Sequence, residues 1–450
     1  MRISSRNVSL SRQGIFVAFV KALVCLLLVA GCLAEGNCGE LPGFAAVQEK
    51  GKPVQINSSG KARGDSTETK AMRAERSDSP MGNSAFAVSL YSALSAREGN
   101  LSFSPASLSS VLALAYEGAR GTTRQEMANA LQFPLDEKQF HRALSMEYSV
   151  PASESIGKGI TLSQVNALWG QKGYHFLKAF LNDLKRYHSS GIRQVDFEGN
   201  VEDSRKIING WVEDNTKGII KDLIKQGVLK TDTRIVLTNA IYFKGMWDSP
   251  FPKNNTRDGD FRVNHHQTVK TLMMEQTGDF RYLESQGVKA LDLPYTGKAL
   301  SMIVILPGDD APLSGVDALL NSSGLDKLVN DLGRAGVVRV HVKLPKFKVS
   351  SEFDLAATFS RMGMAQAFGG DADFSGMTGS KGFFIGNVIH KAYVDVNEEG
   401  TEAAAASAVV MMKAVLRSRE FIADRAFLFI VRDKRTGSIL FMGRLTDPKA

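Results

Sequence analysis

The segment that most restricts how this chain can fold is Val396–Glu420, "VNEEGTEAAAASAVVMMKAVLRSRE". Alanine is the best helix former, so the run from Ala403 to Ala408 argues for helix. Its flanks argue otherwise. A strand-like stretch, Val388 to Val396, leads into it, and β-branched and flexible apolar residues, Val409 to Met412, follow it. Between Glu398 and Phe421 the chain runs for roughly 20 residues without a fitting element, longer than ordinary connections, and connections of that length are functional. Whatever the rest of the chain builds, it has to present this segment.

A chain of 450 residues buries a large core, in one large domain or two ordinary ones. With 43% hydrophobic and 23% charged residues it reads as soluble and globular. The net charge is +8, but Arg2, Arg6, Arg12 and Lys21 supply four of those charges within residues 1–31, leaving 8 − 4 = +4. No clustered basic face accompanies that remainder, which argues against a nucleic-acid partner.

Residues 1–31 read as a signal peptide, a basic stretch followed by the apolar run Ala22–Ala30, too short to span a bilayer. "LVAGC", Leu28 to Cys32, resembles the lipobox of bacterial lipoproteins, in which cleavage precedes a Cys that becomes acylated. The resemblance implies lipidation at Cys32, and Leu33 after it implies sorting to an outer membrane where there are two. The plain alternative is an ordinary signal peptide and a secreted protein. Cys25, Cys32 and Cys38 are the three cysteines, so the folded part can contain no disulfide. Residues 32–79, rich in Gly, Ser and charge, read as a flexible tether. The "RGD" at Arg63–Asp65 is read as a chance tripeptide within it.

From residue 80 onward the pattern is mixed. "NSAFAVSLYSAL" places Phe86, Leu90 and Leu94 at helical spacing, and "SFSPASLSSVLALAYEGARG" opens a buried helix with Ser and Pro and closes it near Gly118 and Gly121. "RKIINGWVEDNTKGII" sets Ile207, Trp211 and Asn215 on one helical face. Strand-like runs follow in "RIVLTNAIYF", "LSMIVILP" and "VRVHVKLPKFKV", and "FLFIVRDKRTGSILFMGRLTDP" reads as a hairpin turning at Asp433–Gly437. Helices come first and strands later, without βαβ alternation, which gives the class α+β.

"VDVNEEGTEAAAASAV" resembles the hinge of the reactive-centre loop of serpins, the serine protease inhibitor superfamily. Other matches lie in family order: "NLSFSPASLSSVLALAYEGARGTTRQEM", "LTNAIYFKGMW", "LPYTGKALSMIVILP", "LPKFKV", "MGMAQAF", "ADFSGM", "IHKAYVDV" and "GSILFMGRLTDP". The resemblance runs from about Asn83 to Pro448 and implies a serpin domain over 80–450. It also implies a helix-rich N-terminal part, three β-sheets and an exposed reactive-centre loop at about 399–420. The implied function is inhibition as a suicide substrate. A serine endopeptidase, or a cysteine one, cuts the loop and is trapped covalently as the loop inserts into the central sheet. Serpin loop insertion is a known example of strand addition and of stored strain.

The residues suit that motion. Alternate side chains of a strand face opposite ways. One face would carry Thr401, Ala403, Ala405, Ser407, Val409 and Met411, none of them charged and the first four small. The other would carry Glu402, Ala404, Ala406, Ala408, Val410 and Met412. A charge on the inward face would oppose burial, and Gly400, after Glu399, supplies the freedom to turn. About a dozen new ladder hydrogen bonds at roughly 1 kcal/mol each outweigh the helical preference of the Ala run. An inserted stretch of about 15 residues would span roughly 50 Å.

Counting from Gly400 by the family pattern puts the reactive bond at Ala414–Val415. Counting back from "DRAFLF" shifts it to Val415–Leu416, and Ala426 stands where serpins generally have Pro. An Ala or Val there implies elastase-like targets and Leu416 chymotrypsin-like or cathepsin-like ones, with subtilisin-like enzymes also among the candidates. Lys413 or Arg417 would bring in trypsin-like enzymes, and a shifted register also admits papain-like ones.

By the same resemblance Ser104, Ser107, Asn239 and His390 match the serpin shutter beneath the parting sheet, and Trp247 matches the breach tryptophan where the hinge enters. A Ser with a His could instead be a nucleophile and its base, but buried polar groups at a parting sheet need mutual hydrogen bonds. The adjacent His265 and His266 lack a third ligand and read as surface residues. No metal, cofactor or catalytic residue is implied, and a monomer is expected. Two alternatives stand: a non-inhibitory serpin, which tends to carry bulky or charged hinge residues, and a serine hydrolase built on Ser155 and Lys158 of "SIGK" with "RTG" at Arg435–Gly437.

Overall fold

The computed structural model describes residues 83–148, 159–264, 266–309, 311–317, 319–399 and 418–450. Several residues named from the sequence lie outside that description. They are the leader, the tether and Cys32, the "SIGK" pair Ser155 and Lys158, His265, the hinge from Gly400 through Thr401, Glu402, Ala403, Ala404, Ala405 and Ala406, and the bond Ala414–Val415.

Four helices come first: α1 (Asn83–Ser95), α2 (Pro105–Tyr116), α3 (Gly121–Leu131) and α4 (Glu137–Tyr148). On α1 the residues at helical spacing, Phe86, Leu90 and Leu94, are buried. Helix α2 begins where the sequence says it should. Ser104 caps it by accepting the Ser107 N–H on Oγ, and Pro105 occupies the first turn, where a missing N–H costs nothing. Every residue of α2 is buried, so it runs as a rod through the interior. Two further helices, α5 (Lys178–His188) and α6 (Val201–Asn215), lie between strands. On α6 the face shared by Ile207, Trp211 and Asn215 is not the buried one: Ile207 is 56% exposed. The neighbouring stripe Ser204, Ile208 and Val212 is buried instead, because a one-position rotation puts the smaller side chains against the sheet.

In chain order the strands are β1 (Leu101–Phe103), β2 (Ile160–Gln171), β3 (Ile192–Val195), β4 (Ile235–Gly245), β5 (Arg257–Asn264), β6 (Gln267–Ser285), β7 (Val288–Pro294), β8 (Leu300–Pro307), β9 (Val337–Pro345), β10 (Phe347–Asp354), β11 (Ile385–Val396), β12 (Arg419–Ile422), β13 (Phe427–Asp433) and β14 (Ile439–Leu445). A five-stranded sheet has the order β10-β11-β4-β2-β3. The other strands form a pairing network of nine that shares the long strand β6 between two layers. Strand β6 pairs with β5 from Gln267 to Met273 and with β9 from Met273 to Arg281, with β12 beyond β9. From Arg281 to Ser285 it pairs with β7 and so continues into β8, β13, β14 and β1. Counting β6 in both layers gives three sheets in an α+β architecture, as the resemblance implies. The β13–β14 turn forms at Asp433–Gly437: the Asp433 carboxylate accepts the Arg435 N–H at 2.7 Å, and Gly437 takes φ +79°.

Across its middle the five-stranded sheet is covered on both faces, while the edge strand β10 exposes one of its faces. The sheet's outer face packs Val165, Ala167, Val236, Ala240 and Ile389 against Ile208 and Val212 of α6. Its inner face spans two apolar clusters. One gathers Leu168, Ile235, Leu237 and Val388 with the helices, and the other sets Ile241, Phe243, Ala392 and Val394 against Phe429 and Val431 of the second layer.

Candidate functional site

Where those two inner clusters meet, the sheet carries polar side chains. The register places Asn166 of β2 opposite Asn239 of β4, and Asn239 opposite His390 of β11. The three form a row across adjacent strands on the inner face, and the N-terminus of α2 comes up beneath it. Ser104, Ser107, Asn239 and His390 are all fully buried. The Ser104 N–H donates to His390 Nε2 at 3.2 Å, so the imidazole proton sits on Nδ1, which donates to Asn239 Oδ1 at 2.5 Å. That fixes the Asn239 amide: its Nδ2 donates to the Ser107 carbonyl at 3.1 Å and also to Ser107 Oγ and Asn166 Oδ1. Burial pushes the His390 pKa down to about 3, so the ring is neutral.

No nucleophile–base pair arises from these residues. His390 meets the backbone N–H of Ser104, the Ser104 hydroxyl accepts from Ser107, and the Ser107 hydroxyl faces Asn239. All the groups are used to satisfy one another. The row ties β2, β4, β11 and α2 together.

Strands β4 and β11 run parallel, paired from Ile385 opposite Ile235 to Val394 opposite Phe243. Their outer neighbours, β2 and β10, are antiparallel to them. Chain turning back from the end of β11 runs antiparallel to β11, and therefore antiparallel to β4 as well. A strand entering between them replaces one parallel ladder with two antiparallel ones, the slightly stronger pairing per residue.

At the top of that seam the chain leaves β11 through a set of tethers. Trp247 donates its indole N–H to the Asn397 carbonyl at 2.9 Å and stacks on Tyr295, with centroids 4.5 Å apart and planes 10° from parallel. Phe251 N–H donates to the Glu398 carbonyl at 3.0 Å. The Glu398 carboxylate pairs with Lys346 Nζ at 3.0 Å, and Glu399 pairs with Lys253. Burial opposes ionisation of Glu398, but the hydrogen bonds it accepts and the Lys346 charge outweigh burial and hold its carboxyl below the usual range. On the far side the chain returns at Ser418 and enters β12, which pairs parallel to β9 and buries Phe421. Just beyond, Arg425 anchors itself on the Pro307 carbonyl at 2.7 Å and on Asp309 and Asp424 at 2.8 Å each, with Ala426 following.

Several participants had gone unnamed. Asn166 was detectable as an amide inside the strand-like "SQVNALWG". Lys346 was not, because nothing local links it to Glu398, 52 positions away. Among the described residues no set of His, Cys, Asp or Glu is placed to hold a metal ion. "RTG" at Arg435–Gly437 sits in the β13–β14 turn, away from any such site.

Residues 81–448 match the family Serpin (serine protease inhibitor). Leukocyte elastase inhibitor A of Rattus norvegicus is 39% identical over 375 residues, covering 81% of this chain and 98% of that protein. The leukocyte elastase inhibitor of Bos taurus is 39% identical over 376 residues with the same coverage. Among solved structures, uncleaved ovalbumin superposes with a TM-score of 0.73 at 26% identity, over 82% of this chain and all of that one. The chain belongs to the serpins, and protease inhibition by a suicide-substrate mechanism is its function.

Proposed function

We propose that this serpin traps an elastase-like serine endopeptidase at Ala414–Val415, without a catalytic residue of its own, and acts outside the cytoplasm from a lipid anchor. The observation that carries the trapping is the parallel pairing of β4 with β11, whose end feeds the reactive segment. Only a returning strand satisfies both edges with antiparallel ladders. The protease acylates itself on the loop, and the loop enters between β4 and β11 behind Thr401, Ala403 and Ala405. The bound enzyme is then carried along the sheet before it can deacylate.

The specificity rests on Ala414 or Val415 fitting a modest apolar pocket, in keeping with two relatives named leukocyte elastase inhibitors. Chymotrypsin-like enzymes follow from a shift onto Leu416, trypsin-like or papain-like ones from a shift onto Lys413 or Arg417, and subtilisin-like ones are the further candidates. The exported, bacterial-type reading rests on the apolar run Ala22–Ala30 and on "LVAGC" ending at Cys32. On that reading 32–79 is a tether holding the domain off an outer membrane or cell surface.

The test is incubation with elastase-, chymotrypsin-, trypsin-, subtilisin- and papain-type proteases, followed by denaturing electrophoresis. A complex that survives denaturation is expected with the elastase type, and sequencing the released C-terminal peptide fixes the bond. Clipping by every protease, with each remaining active, overturns the reading.

A further inference from the structure

The row of Asn166, Asn239 and His390 fastens the seam between β4 and β11 from the inner face. On the outer face a second contact crosses the same seam. Three positions further up both strands, roughly 10 Å at strand rise, the register sets Tyr242 of β4 opposite Tyr393 of β11. Their rings stack, with centroids 5.3 Å apart and planes 22° from parallel, within the range that aromatic pairs favour. The flanking strands explain why the rings lean on each other. In the same row β2 offers Tyr242 only Ser163, and β10 offers Tyr393 only Ser350. Both tyrosines are half-buried and lie beyond the apolar patch that α6 covers. Lys348 of β10 pairs with Asp395 at 3.5 Å and also meets the Tyr393 hydroxyl, which holds that ring to the β10–β11 side. Tyr242 belongs to the β2–β4 side, so the stack bridges the two halves that an entering strand must part.

We propose that Tyr242 and Tyr393 are positioning residues for inhibition: their stack is a clasp on the outer face that keeps β4 and β11 together and sets how fast the seam opens. The inference rests on the loop-insertion reading above. A strand entering between β4 and β11 adds one strand spacing, about 4.8 Å, to their separation. Rings that now stand 5.3 Å apart would then be about 10 Å apart, outside the roughly 4.5–7 Å over which aromatic pairs hold. The stack is therefore given up as the seam opens, and its strength enters the barrier to opening. A strand that turns Thr401 inward shows the rings only Glu402 and the small side chains of Ala404, Ala406 and Ala408. A methyl group fits between the parted phenols, so the pair does not block the inserted state. Trapping is a race between insertion and deacylation, and the clasp tilts it between complex and nicked inhibitor.

The experiment follows entry of a synthetic peptide with the sequence of residues 401–413 into the full-length protein by native electrophoresis. Tyr242→Val and Tyr393→Val each remove a ring and leave a β-branched residue that suits a strand. Each should speed entry about three- to tenfold, the span that loss of one aromatic pair covers. Because the same stack is lost either way, the double variant should enter no faster than the faster single one. Tyr242→Phe keeps the ring and should enter at the wild-type rate. General weakening of the sheet would instead multiply the two accelerations. Valine variants that enter at the wild-type rate or slower, accelerations that multiply, or a Tyr242→Phe protein as fast as Tyr242→Val each overturn the clasp. If Tyr393→Val fails to fold for want of the Lys348 contact, the comparison of Tyr242→Val with Tyr242→Phe decides alone. A wild type that admits no peptide, yet melts normally, overturns the insertion reading and with it the role of the clasp.

Discussion

The indole N–H of Trp247 reaches the Asn397 carbonyl at 2.9 Å, which ties the first residue beyond β11 to the chain leaving the top of β4. The contact spans the mouth of the seam into which the reactive segment would fold. With Tyr295 stacked behind it, the indole is both a plug and a clamp. Trp247→Phe removes the indole N–H from the Asn397 carbonyl and should cost about 1–2 kcal/mol, the usual loss for a part-buried hydrogen bond. The urea midpoint of the intact protein should fall accordingly. An unchanged midpoint means that the indole N–H contributes nothing there.

His390 gives a stability dependence of definite sign. Its folded pKa of about 3 lies below the ordinary value of 6.5. Below pH 6.5 the unfolded chain takes up a proton that the folded one refuses. The stabilisation is therefore complete above pH 6.5 and declines as pH falls toward 3, by about 1.4 kcal/mol per pH unit. Urea midpoints between pH 6.5 and 4.5 should fall less steeply for His390→Asn than for the wild type, although the variant starts lower. Parallel curves for the two proteins would show that the ring is protonated in the folded state.

The ion pair at the root of the loop can be tested by exchange of charge. Glu398 is 8% exposed and lies 3.0 Å from Lys346. Glu398→Lys puts two ammonium groups where one carboxylate was satisfied, so the melting temperature should drop. Adding Lys346→Glu should restore much of the loss. Since the Glu398 carboxyl is held below its usual range, its share of stability is present in full above the ordinary carboxylate pKa and is lost as pH falls from there through the lowered folded value. A double variant no better than the single one removes the pair from the account.

Cys32→Ser tests the anchor separately from the fold. In cells expressing the full chain, the wild type should sediment with membranes and dissolve in detergent, whereas the variant should appear in the soluble fraction. A variant that stays in the membrane pellet rules out lipidation at that residue.

Much of the fold could be read from local pattern. Ser104–Pro105 marks the start of α2 because capping and proline geometry are local effects. "LSMIVILP" is β8 residue for residue, because a strand buried on both faces reads as an unbroken apolar run. What could not be read depends on distance. The outward rotation of Ile207 on α6 is set by the sheet it covers, and one apolar side chain more or less does not reveal it. Lys346 with Glu398, and Glu117 with His141 and His188, are pairings across tertiary structure between residue types that usually face solvent. Nothing in their neighbourhoods marks them as partners. Asn239 and His390 emerged only through resemblance, and the register then showed why they are polar: they stand opposite each other where two apolar clusters meet.

Insertion itself is tested most directly through the face that must turn inward. Every described feature of the seam is compatible with an incoming strand that is uncharged on its buried side. The inner face below and above the polar row is apolar, formed by Leu237 and Val388 on one side and by Ile241 and Ala392 on the other. Thr401→Arg places a guanidinium at the leading inward position, where neither cluster offers a partner, and burial of an unpaired charge costs several kcal/mol. The protease still finds its bond in the variant, but the nicked loop cannot enter before deacylation. Thr401→Arg should therefore be cleaved at the wild-type site, release active enzyme and form little complex that survives denaturation. The nicked wild type should resist heat far better than its intact form, because the new strand puts two antiparallel ladders where there was one parallel ladder, while the nicked variant should melt with its parent. Equal trapping by the variant and the wild type would place the decisive step somewhere other than between β4 and β11.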